Sequence, residues 1–286
     1  MPAFSTTSSV LQPLNLPGFE GRLFIKRDDL IHPIVCGNKW RKLKYVVNAA
    51  RKAEKTHLVT FGGAYSNHMV ATACVGAAMG FKTSCFLRGD EPMNNHYIMA
   101  SRLYGMEIIP VSREDYRHKD WLFAKYFSGA DDVLFVQEGG ESEEAILGMA
   151  EVVSELPFEP DWLVHASATA TTARGLAKGI LNSNWKTKVL SVAVLKNAAE
   201  QRKKTKGLNI VIEDSYDFGG YAKTSPELLQ FMKTMVAQTG IMFDPVYTGK
   251  ALYALNELKP EGKVVFVHTG GTMGMFSDTF LNAFSE

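Results

Sequence analysis

The chain has 286 residues, 46% of them hydrophobic and 21% charged, with a formal net charge of +1. This is the profile of a globular protein with one large or two medium domains, and the near-neutral balance gives no electrostatic case for nucleic acid or a membrane surface as partner. No run of about 18 apolar residues is present to span a bilayer, the opening MPAFSTTSSVLQPL lacks a secretory pattern, and three cysteines without metal-ligand spacing read as reduced thiols of a cytoplasmic protein.

In chain order, residues 22–26 (RLFIK) read as a strand and 40–54 as a helix. Residues 57–63 (HLVTFGG) read as a strand ending in a glycine pair, and 66–80 as a helix closed by Gly80. A strand at 82–89, a helix at 94–105 and a strand at 106–112 follow. Further strands are expected at 161–167 (DWLVHAS), 188–195 (KVLSVAVL), 209–214 (NIVIED) and 263–271 (KVVFVHTGG). Apolar strands alternating with helices predict an α/β protein with parallel sheets flanked by helices.

Three strands end alike, in a turn rich in Gly, Ser or Thr: GGAYSNH, SATATT and HTGG. In open α/β sheets ligands bind beyond the carboxyl ends of the strands, and helix starts there bind anions. Each turn also has a plainer reading. Ser66 is a good N-cap, and Ser/Thr runs are common in loops. Neither G-x-x-x-x-G-K-[ST] nor G-x-G-x-x-G occurs, which disfavours a nucleoside-triphosphate site and a Rossmann dehydrogenase. His68 and His268 have no metal-ligand spacing. The stretch EQRKKTKG reads as a solvated helix face and EGGESEE as a turn and acidic helix start. The run GNKWRKLKY is odd, because it places Lys39, Arg41, Lys42 and Lys44 at a helix start, where the macrodipole disfavours cations.

The segments IKRDDL, GNKWRKLKY, TFGGAYSNH, DPVYTGKA and HTGG, in this order from Lys26 to Gly271, resemble the D-cysteine desulfhydrase and 1-aminocyclopropane-1-carboxylate (ACC) deaminase family. That family belongs to the fold-type II, tryptophan synthase β-like enzymes that use pyridoxal 5'-phosphate. The resemblance implies a two-domain fold, with a large domain of residues 1–41 plus 138–286 and a small domain of 42–137. It implies that Lys39 bonds covalently to the cofactor and that Lys42 meets its phosphate. It implies that Asn67 meets the phenolic oxygen, and that the turn Ala168, Thr169, Ala170, Thr171 and Thr172 cradles the phosphate. Ala170 stands where the family usually has glycine, so a positive φ there would strain the loop. Ser66 and His68 are expected at the substrate carboxylate, and Asn67, Tyr221 and Tyr247 are expected to contact the substrate with them. Tyr221 and Tyr247 match two active-site tyrosines. Ser66, Tyr221 and Tyr247 join Lys39 as expected catalytic residues, and Thr248 is placed beside the pyridine nitrogen.

ACC deaminases carry glutamate at the position of Thr248 and tend to carry glutamine at that of His68. The implied activity is therefore that of a lyase performing α,β-elimination on a small amino acid, with D-cysteine leading and pyruvate, ammonia and hydrogen sulfide as products. ACC deaminase activity, or cofactor binding with little turnover, are the alternatives. The family also implies a homodimer. Arg41 and Lys44 are left as surface or domain-contact residues. The chain is shorter than most of the family around Asn197 to Asn209, a region expected to touch none of the named residues.

Overall fold

The structure, a computed structural model, describes residues 4–89 and 94–284. Its strands are β1 (Leu11–Pro13), β2 (Leu23–Lys26), β3 (His57–Gly62), β4 (Lys82–Arg88), β5 (Glu107–Val111), β6 (Val133–Phe135), β7 (Trp162–Ser167), β8 (Lys188–Ala193), β9 (Ile210–Glu213) and β10 (Val264–Val267). Its helices are α1 (Asn38–Lys52), α2 (Asn67–Met79), α3 (His96–Leu103), α4 (Lys119–Phe127), α5 (Glu143–Ser154), α6 (Thr171–Asn182), α7 (Ala198–Lys204), α8 (Pro226–Thr239), α9 (Thr248–Leu258) and α10 (Asp278–Ala283).

Two sheets result. The larger has the order β1-β2-β10-β7-β8-β9 and is parallel except for the β1–β2 pair. The smaller, β5-β4-β3-β6, is wholly parallel and uses only strands between residues 57 and 135. The alternation of side chains explains the layers. Leu163, Val189, Val265 and Val267 face α5 and α6, through Met149, Val152 and Leu176. Val164, Ala166, Leu190, Val192 and Phe266 face α8 and α9, through Met232 and Leu255. In the smaller sheet Phe61 and Phe86 stack at 4.8 Å and pack with Leu122 of α4, while Leu58 packs with Val46, Val47 and Ala71.

Glycines let three helices approach closely. A Cβ on Gly148 of α5 would lie 1.8 Å from the Arg41 carbonyl oxygen of α1, and one on Gly179 of α6 would lie 2.5 Å from the Ala150 carbonyl oxygen. The stack carries the start of α1 to the start of α6.

Arg41 departs from expectation. It is fully buried, and its guanidinium donates to both oxygens of Asp28 (2.6 and 2.8 Å) and both of Glu155 (2.8 and 2.8 Å). Lys26 pairs with Glu155 at 2.8 Å, and Ser9 Oγ donates to Asp28. Lys44 bonds Glu151 of α5 (2.8 Å) and is a helix-to-helix contact. Arg41 thus anchors the helix start that bears Lys39 and Lys42.

Candidate active site

A cavity of about 650 Å³ opens where the carboxyl ends of the two sheets meet. Lys39 lies on its wall, in the first turn of α1. The turn before it holds Gly37 at φ 61°, ψ −136°, and a Cβ there would fall 2.0 Å from the carbonyl carbon and oxygen of Thr269. Only glycine fits both the conformation and the space. The Asn38 N–H donates to that carbonyl (3.2 Å), tying α1 to the turn after β10. The Asn38 side chain accepts from Lys39 Nζ (2.7 Å) and donates to Thr172 Oγ1 (3.1 Å). Desolvation lowers the Lys39 pKa, against smaller opposing effects of Cys36 and Asp244, so a neutral amine is easier to reach there than on a surface lysine.

The β7–α6 turn forms one pole of the cavity. Ala170 is the N-cap of α6 at φ 64°, ψ −4°, the left-handed conformation that the alanine-for-glycine difference put in question. It carries no capping oxygen, so the first N–H groups of α6 have no side-chain partner and suit an anion. Opposite lies Lys42, 4% exposed, its Nζ donating to the Gly139 carbonyl (3.1 Å). Burial, and next the charge of Lys39, lower its pKa to about 7, with Glu141 opposing. Ala168, Thr169, Ala170 and Thr172 line the cavity, whereas Thr171 is fully buried and its side chain is not on the wall. The Thr171 hydroxyl instead pairs with that of Thr169 (3.0 Å). Asn197 is on the wall and holds the turn, donating to the Ala168 carbonyl (2.6 Å). The shortened region therefore does touch the cavity, contrary to expectation.

The start of α2 forms the second pole. Ser66 caps the helix by accepting from the Met69 N–H (3.2 Å), and Asn67 is its first residue. Gly62 allows this approach, since a Cβ there would be 2.9 Å from Ser66 Cβ. His68 also reaches the wall, but its hydrogen bonding limits its role. The Thr60 hydroxyl spends its proton on the Val136 carbonyl (2.9 Å), so it accepts from His68 Nε2–H (3.0 Å). That leaves Nδ1 as a lone pair, without a hydrogen-bond partner. Burial and the charges of Lys39 and Lys42 hold the His68 pKa at about 3, so the ring is neutral and has no proton to give a carboxylate.

Tyr247 and Tyr221 line the cavity, Tyr221 half-exposed. Burial, then the neighbouring Tyr221, Asp244 and Glu138, raise the Tyr247 pKa, so the phenol keeps its proton. Thr248 does not reach the wall. It is fully buried, its hydroxyl donating to Asp244 Oδ1 (2.8 Å) and accepting from the Asp244 N–H (2.9 Å). Asp244 also accepts from the N–H groups of Val246 (3.0 Å), Tyr247 (2.8 Å) and Thr248 (2.8 Å).

A family profile described as "Pyridoxal-phosphate dependent enzyme" matches residues 9–270. The chain belongs to this family. Among its relatives is a Thermotoga maritima protein named "Putative 1-aminocyclopropane-1-carboxylate deaminase", 33% identical over 90% of this chain and 91% of that protein. Another is an Arabidopsis thaliana protein named "Bifunctional D-cysteine desulfhydrase/1-aminocyclopropane-1-carboxylate deaminase, mitochondrial", 29% identical over 92% of this chain and 76% of that protein. A solved structure described as an ACC deaminase homologue superposes with a TM-score of 0.81 at 26% identity, covering 96% and 93% of the two chains.

The cofactor of this pyridoxal-phosphate dependent enzyme is pyridoxal 5'-phosphate. The cavity suits it on the chain's own terms. The wall brings together an uncapped helix start, a buried lysine that no carboxylate bonds among the described residues, and a second lysine of lowered pKa. Asn38, Asn197 and the Gly139 carbonyl went unassigned in the sequence, although Asn38 stands inside the GNK motif. Among the described residues no group of three His, Cys, Asp or Glu side chains gathers as a metal site, and no helix is long and apolar enough to cross a membrane.

Proposed function

We propose that the protein catalyses α,β-elimination on a small amino acid, with D-cysteine as the leading substrate and pyruvate, ammonia and hydrogen sulfide as products. Pyridoxal 5'-phosphate supplies the sink for electrons released at the substrate Cα. The chain does the rest. The start of α6 and Lys42 hold the phosphate. Ser66 and the first N–H groups of α2 hold the substrate carboxylate, and His68 contributes only an acceptor. Lys39, as a neutral amine, removes the Cα proton, with Asn38 fixing its direction. Tyr247, as a protonated phenol, donates a hydrogen bond to the departing hydrosulfide. Residues 42–137 form the smaller domain in this reading, and the family resemblance makes a cytoplasmic homodimer the expected form.

One observation carries the choice of elimination. Among the described residues, each carboxylate at or beside the cavity is engaged. Asp244 is consumed by the Thr248 hydroxyl and three N–H groups, Glu138 by Lys119 and Tyr116, and Glu141 and Glu200 by Lys204. No carboxylate is offered to a ring nitrogen, and a weaker electron sink suits a carbanion that collapses at once by expelling a β-substituent. A second reading, ring opening of ACC to 2-oxobutanoate and ammonia, is favoured by the names of the relatives. The test is the cofactor-loaded protein with D-cysteine, L-cysteine, D-serine, 3-chloro-D-alanine, L-cysteate and ACC, scored for pyruvate and 2-oxobutanoate. Pyruvate from D-cysteine is expected. 2-Oxobutanoate from ACC without pyruvate from any β-substituted amino acid would replace the first reading by the second. Silence with all six would favour a cofactor-binding protein, a reading that the left-handed Ala170 supports.

A further inference from the structure

Lys250 is fully buried in α9, three residues beyond Tyr247, and among the described residues no carboxylate bonds it. Its Nζ donates instead to two backbone carbonyls, those of Asp217 and Gly220, both at 2.7 Å. The Phe218 ring lies 5.9 Å from the ammonium. Burying an ammonium is costly, and a methionine would fill the same space without that cost. The lysine therefore answers a need other than packing.

That need is visible in the turn it grips. Phe218, Gly219, Gly220 and Ala222 all have positive φ, at 53°, 96°, 113° and 56°. Two of the four are not glycine, so the backbone here is strained. Tyr221 stands inside this run and reaches the cavity wall, near enough to Tyr247 and Tyr97 to influence both phenols. The two carbonyls held by Lys250 are one at the start of the strained run and one immediately before Tyr221. Tyr247 is the N-cap residue of the same helix.

We infer that Lys250 is a positioning residue: its ammonium clamps the strained 217–222 turn, sets the Tyr221 phenol at the cavity mouth, and couples it to Tyr247 through α9. This rests on Tyr221 facing the substrate. A test therefore needs one readout that does not depend on turnover.

The experiment uses the cofactor-loaded protein and the variants Lys250→Met, Lys250→Arg, Tyr221→Phe and the double variant Lys250→Met/Tyr221→Phe. Hydrogen exchange of the amides at 215–223 is expected to rise at least tenfold in Lys250→Met, with the amides of α1 and β3 unchanged. Binding of D-cysteine and D-serine, followed by the visible spectrum of the cofactor, should weaken to the same degree in Lys250→Met as in Tyr221→Phe, with no further loss in the double variant. Unchanged exchange in the turn, or losses that multiply in the double variant, overturns the clamp. If Lys250→Met does not fold, Lys250→Ala with added propylammonium replaces it. Recovery of slow exchange with propylammonium but not with propanol supports the clamp, and equal recovery or none overturns it. Lys250→Arg keeps a charge but is larger, and slow exchange retained there supports a donor role. Failure of the proposed elimination would show as absent pyruvate with the exchange result intact, so the two failures are distinguishable.

Discussion

Replacing Lys42 by methionine should make the unloaded protein more stable and the loaded protein weaker. The lysine is 4% exposed, and burial with the charge of Lys39 takes its pKa from 10.5 to about 7. At about 1.4 kcal/mol for each tenfold step in acidity, holding the charge in the unloaded fold costs up to roughly 4–5 kcal/mol. The folded value lies below the unfolded one, so the unfolded chain binds more protons between about 7 and 10.5. The cost is therefore fully present below about pH 7 and fades as pH rises toward 10.5. Methionine keeps the apolar stem and removes the charge. At about 2 °C per kcal/mol for a chain of this size, the unloaded variant should melt up to roughly 10 °C higher at neutral pH, and no higher near pH 10.5. Cofactor affinity should move the other way. Loss of one charge-assisted hydrogen bond, at about 1.5–3 kcal/mol, weakens binding roughly ten- to a hundredfold. Thermal melts of the unloaded protein at both pH values, with pyridoxal 5'-phosphate titrations, read both effects. A variant that is less stable at neutral pH, or that binds the cofactor as tightly as the parent, refutes the assignment of Lys42 to the phosphate.

Borohydride reduction should attach the cofactor to Lys39, and Lys39→Ala should remain folded while losing nearly all turnover; a peptide map that places the adduct on Lys42 would overturn this. Gly37→Ala combines a Gly-only backbone conformation with a 2.0 Å clash against Thr269, so a stability loss of at least about 2 kcal/mol is expected in denaturant melts; an unchanged midpoint would show that the Thr269 turn yields freely. Arg41→Met leaves Asp28 and Glu155 without their guanidinium partner and should cost about 3–5 kcal/mol, a loss below about 1 kcal/mol being the refuting result.

The parts of this fold legible in the sequence are those whose physics is local. β7, β8 and β10 are buried on both faces, so they read as largely apolar runs, unbroken in β10 and interrupted only by His165, Ser167 and Ser191 inside β7 and β8, and each expected strand has its counterpart. Helix α8 carries an N-terminal signal, Ser225 capping and Pro226 at the first position, but polar residues dilute its apolar stripe and weaken its helical pattern. In the cavity, Lys39, Ser66 and Tyr247 were reachable because they sit in ordered motifs at strand ends. Asn197 was not, since its partner is a carbonyl 29 residues away, and a carbonyl leaves no mark on the sequence. Lys42 bonding the Gly139 carbonyl across 97 residues is the same case. Arg41 was misplaced because burial of a charge depends on distant Asp28 and Glu155. Thr248 is a different case: its position in the motif is clear, and the hydroxyl is bonded to Asp244, four residues upstream in the same motif.

The cavity also distinguishes charges that serve the fold from charges suited to a ligand. Arg41 and Lys26 are buried charges that serve the fold and are met by carboxylates, Asp28 and Glu155 at Arg41 and Glu155 at Lys26, and Lys250 is met by two backbone carbonyls. Around Lys42 and the start of α6, where we propose the phosphate sits, the opposite holds. Lys39 and Lys42 repel each other, α6 begins without a capping oxygen, and Ala170 keeps a left-handed backbone. Nearby, the His68 lone pair finds no donor. Each feature is unfavourable by itself, and local conflicts of this kind persist where function requires them. A phosphate carrying −1.5 to −2 charges with acceptor oxygens offsets the first two at once, by facing the ammonium of Lys42 and accepting the N–H groups of α6. The left-handed Ala170 is then the conformation that opens those N–H groups to the ligand. Its strain, small beside the relief of two like charges, is the reason the turn tolerates alanine where glycine would be unstrained.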